Sequence, residues 1–381
     1  MQVTRREFLG AASIAAGAVL AEHPDISHAA RKEKELPSPE KLLKIGVLTC
    51  HPVHHHLPNA WAPMINRKPY KDGFIHTRMT GMVLSHIWDI DPERVRTFCE
   101  EFGTKPVKKY DDMVDKVDGV IISDVRNGDY FPELSEPYLK AGVPVLFNRP
   151  FTTSVGRAKR IIETSKKYGT PFMTMSSYEY TKEVFAMRRK VEEWGPGIRA
   201  VTAFNYSNEI THDVHGLWLT LAMIGVGIES VSVNRTVKSI FERGTDVWTI
   251  KFKARGESPP FYASLHNTSD HDSNAWVKVI LDKGTFEQSL WYLKSGEGEQ
   301  HSQQRYEYYL TPPMHEFQRI IERGTMSQSH EHILEKTAAF LAGFKSHLEL
   351  DGRMVKLTEL EDEYTVQSTP DPVRYPDGFW G

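Results

Sequence analysis

The sequence predicts an α/β protein in two parts: a doubly wound parallel sheet, then an α/β domain on a large, mainly antiparallel sheet. Three observations predict it. From Lys44 onward, short apolar runs alternate with helical segments, the order that builds a parallel sheet. After about Trp194, the apolar runs follow one another through turns, which favours antiparallel pairing. The 381 residues, 40% hydrophobic and 25% charged, are enough for two domains with a well-buried core.

The elements follow in order. Lys44–Leu48 reads as a buried strand and Met82–Trp88 as a second. A helix is expected from Pro92 to Phe102, with Asp91 as its N-cap and Gly103 as its stop. Tyr110–Lys116 is expected to be a short helix. Gly119–Ser123 is apolar almost throughout, as a central parallel strand should be. Helices over Phe131–Ala141 and Ser154–Tyr168 alternate with strands over Pro144–Asn148 and Pro171–Ser176. The second part reads as strands over Ile198–Phe204, Ile228–Asn234, Asp246–Phe252, Tyr262–His266, Ala275–Leu281 and Gly284–Trp291. Its helices are expected over Val214–Ile224, Met314–Arg323 and Glu331–Leu348. The stretch from Pro370 is rich in proline and aromatic residues, as a packed tail would be.

Residues 1–30 read as an export signal. Thr4-Arg5-Arg6-Glu7-Phe8-Leu9 precedes a small-residue apolar run from Gly10 to Ala21, the pattern of twin-arginine export. Cleavage is expected after Ala21 or Ala29, and the twin-arginine translocase is then a partner during export. Residues 31–43 read as a linker, 44–180 as the parallel-sheet domain, 181–360 as the second domain and 361–381 as the tail. No later stretch is apolar enough to span a bilayer, so a periplasmic or other extracytoplasmic protein without membrane insertion is expected. A net charge of −3 gives no basic excess for nucleic acid. The two cysteines, Cys50 and Cys99, allow one disulfide or two independent buried thiols.

The turn after the first strand decides much of the chemistry. A turn that cradles a pyrophosphate needs glycine for a sharp bend and close backbone approach. Here it reads Thr49-Cys50-His51-Pro52-Val53-His54-His55-His56. Four further segments have a recognisable order: Asp89-Ile90-Asp91-Pro92-Glu93-Arg94; Tyr138 to Pro150; His215 to Gly225; and Glu331 to Leu357, with Gly352-Arg353-Met354-Val355 near its end. From about Lys44 to Leu360 this order resembles the Gfo/Idh/MocA family, the glucose-fructose oxidoreductase and inositol dehydrogenase group. The resemblance implies a Rossmann-like first domain. It also implies NAD or NADP as cofactor, a small-molecule carbohydrate or polyol as substrate, and a homodimer or homotetramer paired through the outer face of the second sheet.

The resemblance places catalysis on His215, whose imidazole titrates near neutral pH and can take a hydroxyl proton. Arg149 falls where the family has the lysine of Glu-Lys-Pro, and Asn148 where it has the glutamate. A guanidinium stays protonated, so Arg149 anchors substrate or cofactor rather than shuttling a proton. Asp213 stands two residues before the histidine, while the family's acid position falls on Thr211. Asp213 and Tyr180 are supporting residues. Cofactor contacts are expected from Thr49, His51 and His54 at the glycine positions, from Asp89 to a ribose, and from Ser123 and Asn148.

Two other readings stay open. His212, Asp213 and His215 lie within four residues, and imidazoles with a carboxylate suit zinc or another divalent metal. A metal beside Arg149 would support a non-redox keto-sugar lyase or hydratase. Lost glycines and a lost lysine are also what a catalytically silent sugar-binding protein would show. Tyr178, Tyr180, Trp218, Trp276 and Trp291 are candidates for a sugar-stacking wall, or for ordinary packing.

Overall fold

The structure, a computed structural model, describes residues 42–51, 57–66, 79, 81–195, 197–206, 213–256, 258–268, 276–289, 310–367 and 369–380. The export signal and nearly all of the linker lie outside them, as do His54, His212 and Trp291.

Among the described residues, six parallel strands form the first sheet. They are β1 (Leu43–Leu48), β2 (Met82–Trp88), β3 (Lys105–Pro106), β4 (Gly119–Ile122), β5 (Val145–Asn148) and β6 (Phe172–Met175), in the order β3-β2-β1-β4-β5-β6. Every residue of β4, β5 and β6 is buried, so these runs need no polar alternation. The strand order changes direction between β1 and β4, and a ligand crevice is expected beyond their carboxyl ends.

The connecting helices are α1 (Ala62–Asn66), α2 (Pro92–Phe102), α3 (Phe131–Ala141), α4 (Val155–Tyr168) and α5 (Lys182–Trp194). Helix α2 begins and ends where its sequence says. Asp91 Oδ1 accepts from Glu93 N at 2.9 Å, Pro92 takes the first position, and Gly103 closes the helix at φ 71°. The expected helix over Tyr110–Lys116 is instead a run of turns held by three-residue bonds from Asp112 N, Val114 N and Lys116 N. The Asp112 carboxylate accepts from Lys109 N at 2.9 Å, so a side chain competes there with helical backbone bonding.

The second sheet runs β12-β11-β7-β10-β9-β8-β13, and all its pairings are antiparallel except β7 with β10. Its strands are β7 (Ile198–Tyr206), β8 (Ile228–Arg235), β9 (Asp246–Phe252), β10 (Phe261–Thr268), β11 (Trp276–Leu281), β12 (Gly284–Ser289) and β13 (Val355–Lys356). Strand β9 alternates strictly, burying Asp246, Trp248, Ile250 and Phe252. Helix α6 (Val214–Ile224) lies against β7, followed in the chain by α7 (Thr311–Arg323) and α8 (His330–Glu349). Helix α8 packs on β8 and also on α4, tying the second sheet to the first domain. Gly343 lets α8 approach closely, since a Cβ there would come within 2.2 Å of the Trp248 ring.

The tail returns across the first sheet. Asp362 O accepts from Gly156 N, Val366 N donates to Thr153 O, and Val373 N donates to Arg126 O. Cys50 and Cys99 are free thiols, and burial pushes the Cys50 thiol up.

Candidate active site

The segment after β6 builds the first half of the site. Ser176-Ser177-Tyr178-Glu179 forms a capping box: Ser176 Oγ accepts from Tyr178 N at 3.4 Å, and Ser176 N donates to Glu179 Oε2 at 2.6 Å. This fixes Ser176, whose Oγ lies 2.6 Å from His215 Nδ1. His215 is buried near the start of α6, and the Tyr178 ring lies against it with centroids 4.7 Å apart.

Behind the box stands a buried ion pair. Lys336 Nζ donates to Glu179 Oε1 at 3.2 Å and to Thr174 O at 3.2 Å. Its ammonium lies 3.9 Å from the centroid of Trp218, three residues beyond His215 on the same helix. Gln328 Nε2 donates to Glu179 Oε1 at 2.9 Å. Burial pushes the Lys336 pKa down, and Glu179 opposes that shift. Buried charges survive only when paired and hydrogen-bonded, and here both conditions hold.

Asp213 opens α6 and is fully buried. Its Oδ2 accepts from Trp248 Nε1 at 3.2 Å, and it hydrogen-bonds Asp246. Burial raises the Asp246 carboxyl above its usual range, opposed by Asp213, by the Asn267 amide (2.8 Å) and by Arg235. Asp213 therefore roots α6 in the second sheet.

At the ends of β4 and β5, Ser123 and Asn148 meet. The Asn148 amide donates to Ser123 O at 3.3 Å and to Ser123 Oγ at 3.4 Å, and Asn148 Oδ1 accepts from Arg149 N at 3.0 Å. Arg149 is half-buried and joined to Pro150 by a cis peptide bond. Ser123, Asn148, Arg149, Ser176 and His215 thus sit at or beside the carboxyl ends of β4 to β6.

The ends of β1 and β2 differ. Thr49 keeps a glycine-like backbone at φ 67° although it is β-branched and fully buried. Its N donates to Trp88 O, and its Oγ1 accepts from Asp124 N at 3.2 Å. Asp89 lies beside it with its carboxylate already engaged. Oδ2 accepts from Cys50 N at 2.8 Å, while Oδ1 accepts from Asp91 N at 2.9 Å and from Arg94 Nη2 at 2.5 Å. Asp124 holds Arg126 through Nη2 at 2.8 Å. Burial and the Arg126 charge lower the His51 pKa, which favours its neutral form.

Other candidates stand elsewhere. The Tyr180 hydroxyl pairs with Ser327 Oγ at 3.3 Å, and Tyr178 is the ring placed against His215. Trp218 is core under Lys336, and Trp276 stacks on Phe204 in the second sheet. No three His, Cys, Asp or Glu side chains gather as a metal-ligand set among the described residues. Sequence reasoning passed over Glu179, Lys336, Asp246, Arg94, Arg126 and Tyr375. Only Glu179 had a local signal, as the fourth residue of a Ser-x-x-Glu box.

Comparison with known proteins agrees with this layout. Residues 63–176 match the GFO_IDH_MocA family model, described as an oxidoreductase family with an NAD-binding Rossmann fold. Over those residues the chain is similar to the Gfo/Idh/MocA family. Comparison with curated proteins finds no sequence match. Solved structures similar to this chain include GenD2 from gentamicin A biosynthesis in complex with NAD, at TM-score 0.66 and 14% identity, covering 85% of this chain and 98% of that one. Scyllo-inositol dehydrogenase from Lactobacillus casei with bound NAD(H) and scyllo-inositol has TM-score 0.65 and 15% identity, covering 84% and 100%. Myo-inositol dehydrogenase from Lactobacillus casei with NAD(H) and myo-inositol has TM-score 0.65 and 15% identity, covering 89% and 100%. At these identities the likeness is one of fold.

A dinucleotide fits one half of the crevice and not the other. The ends of β4 to β6 carry polar side chains beside an oriented histidine. At the end of β2, the acid that would hold a ribose is taken by Arg94 and backbone amides, and Tyr375 stacks on Trp88 beside it.

Proposed function

We propose that this chain is a carbohydrate or polyol oxidoreductase in which His215 is the general base. The observation that carries this is the 2.6 Å bond between His215 Nδ1 and Ser176 Oγ at the carboxyl end of β6. A base needs an unprotonated nitrogen, so the productive tautomer carries its proton on Nδ1 and donates it to Ser176 Oγ. Proton transfer from the substrate hydroxyl then falls to Nε2. The capping box, Glu179 and Lys336 hold Ser176 and thereby the ring; they are positioning residues. Arg149 holds a second substrate oxygen with a permanent charge. Asp213 fixes the start of the helix that presents His215.

NAD or NADP would supply the hydride partner when bound, with Ser123 and Asn148 at its nicotinamide end. The extracytoplasmic location read from Arg5-Arg6 belongs to the same proposal, as does a homo-oligomer formed through the second sheet. The lyase and silent-binding readings gain no specific support. The test is to incubate purified protein with NAD or NADP and a panel of inositols and aldoses, and to follow the near-ultraviolet absorbance of reduced nicotinamide. Reduction by at least one substrate is expected. No reduction with any pair, together with no binding of either cofactor, would contradict the proposal.

A further inference from the structure

We propose that the C-terminal segment Asp371–Trp380 is a strap seated in the adenosine end of the crevice, where it competes with a dinucleotide. The inference rests on the dinucleotide reading above. In a doubly wound sheet, the adenosine half lies on the β2 side of the switch point, where an acid at the end of β2 holds the ribose. That acid is Asp89, directly after Trp88.

The strap covers this place. Tyr375 stacks on Trp88, with centroids 6.4 Å apart and planes 13° apart, and meets Tyr130 edge-on at 4.6 Å. Its hydroxyl donates to Asn127 Oδ1, in the loop after β4. Burial pushes the Tyr375 phenol up, and the Asp89 and Asp124 carboxylates push it further. Phe379 packs on Trp88 at 6.0 Å, and Trp380 on Tyr110 at 5.1 Å and Tyr130 at 5.6 Å. Val373 N donates to Arg126 O, while the Asp371 carboxylate lies 3.6 Å from the Arg126 guanidinium. An aromatic ring stacked on Trp88, with a hydroxyl bonded to the Asn127 side chain, offers the same kinds of contact as a purine nucleoside. Asp89 meanwhile rests on Arg94, which competes with a ribose for its Oδ1.

Seating and unseating of the strap is then an equilibrium that sets cofactor affinity. If the strap is seated about nine-tenths of the time, it weakens dinucleotide binding by about tenfold. Three proteins test this: the full chain, a chain ending at Pro370, and the full-length Tyr375→Ala variant, which keeps a folded control if truncation destabilises. NADH and NADPH affinities are measured by nicotinamide fluorescence, and hydrogen exchange over residues 371–380 is followed with and without nucleotide. Both changes are expected to tighten binding by about tenfold or more, and nucleotide is expected to deprotect Val373 N–H in the full chain. Equal affinity in all three proteins overturns the competition while leaving the dinucleotide reading intact. Increased protection of the strap on binding also overturns it, since the strap would then be a clamp. No binding to any of the three sinks the dinucleotide reading and the competition together.

Discussion

The two ends of the crevice are built on opposite principles. At the β6 end, buried polar groups are paired one behind another, from Lys336 to Glu179, Ser176 and the His215 ring. At the β2 end, the acid is neutralised by Arg94 and the chain's own aromatic tail lies over it. One end is a set of buried, mutually bonded polar groups; the other is covered by the chain's own tail. Lost glycines therefore do not report a uniformly decayed site. Departures from the family pattern fall at both ends, at Thr49, His51 and His54 on one and at Asn148 and Arg149 on the other, yet at the β6 end Ser176 and the His215 ring are joined in one hydrogen-bonded unit.

Breaking the ordered end should have the largest effect. Lys336→Met leaves the Glu179 charge buried without its cation, which is expected to cost about 3–5 kcal/mol. Urea unfolding checks this, and adding Glu179→Gln should recover part of the loss. A loss below about 1 kcal/mol, the range of a surface pair, would mean that the pair is not buried in solution. Ser176→Ala should be milder for the fold and specific for the chemistry. It removes the Nδ1 partner, so kcat/KM is expected to fall by about tenfold, the worth of one hydrogen bond. KM should change little and stability by about 1 kcal/mol. A rise in KM with kcat unchanged would assign Ser176 to binding instead.

The smallest effect sharpens the other end. Thr49 holds a left-handed backbone at a cost of about 1–3 kcal/mol. Its Oγ1 also accepts from the buried Asp124 N–H. Thr49→Ala keeps the strain and loses the acceptor, so thermal unfolding should show a loss of about 1–2 kcal/mol. Thr49→Gly loses the same acceptor but relieves the strain, and should be the more stable of the two by about 1 kcal/mol. The reverse order would mean that the turn is not strained.

Much of the fold was legible because its signals are local. Apolar runs gave β4 and β5, Asp91-Pro92 and Gly103 gave both ends of α2, and Gly142 stopped α3. Tyr110–Lys116 misled because Asp112 bonds backbone at short range. The order of segments singled out His215 and Arg149, whereas the Ser176 box, though its Ser-x-x-Glu spacing is local, was not read. Lys336 was not: a lysine in a 20-residue helix reads as a solvated face until the helix is seen inserted between two sheets. The tail read as aromatic and packed, but its destination depends on contacts more than 200 residues away in sequence, as between Tyr375 and Asn127.

The central claim is that His215 is the base, and one variant addresses it directly. His215→Ala should be compared with the unaltered chain for nicotinamide reduction by whichever inositol or aldose the panel identifies, with thermal unfolding measured alongside. The expected result is a fall in kcat/KM of about 10²–10⁴-fold in a variant that still unfolds cooperatively, with a stability loss of about 1–3 kcal/mol from the buried ring and its hydrogen bond. Turnover equal to that of the unaltered chain would contradict it and remove His215 from the mechanism.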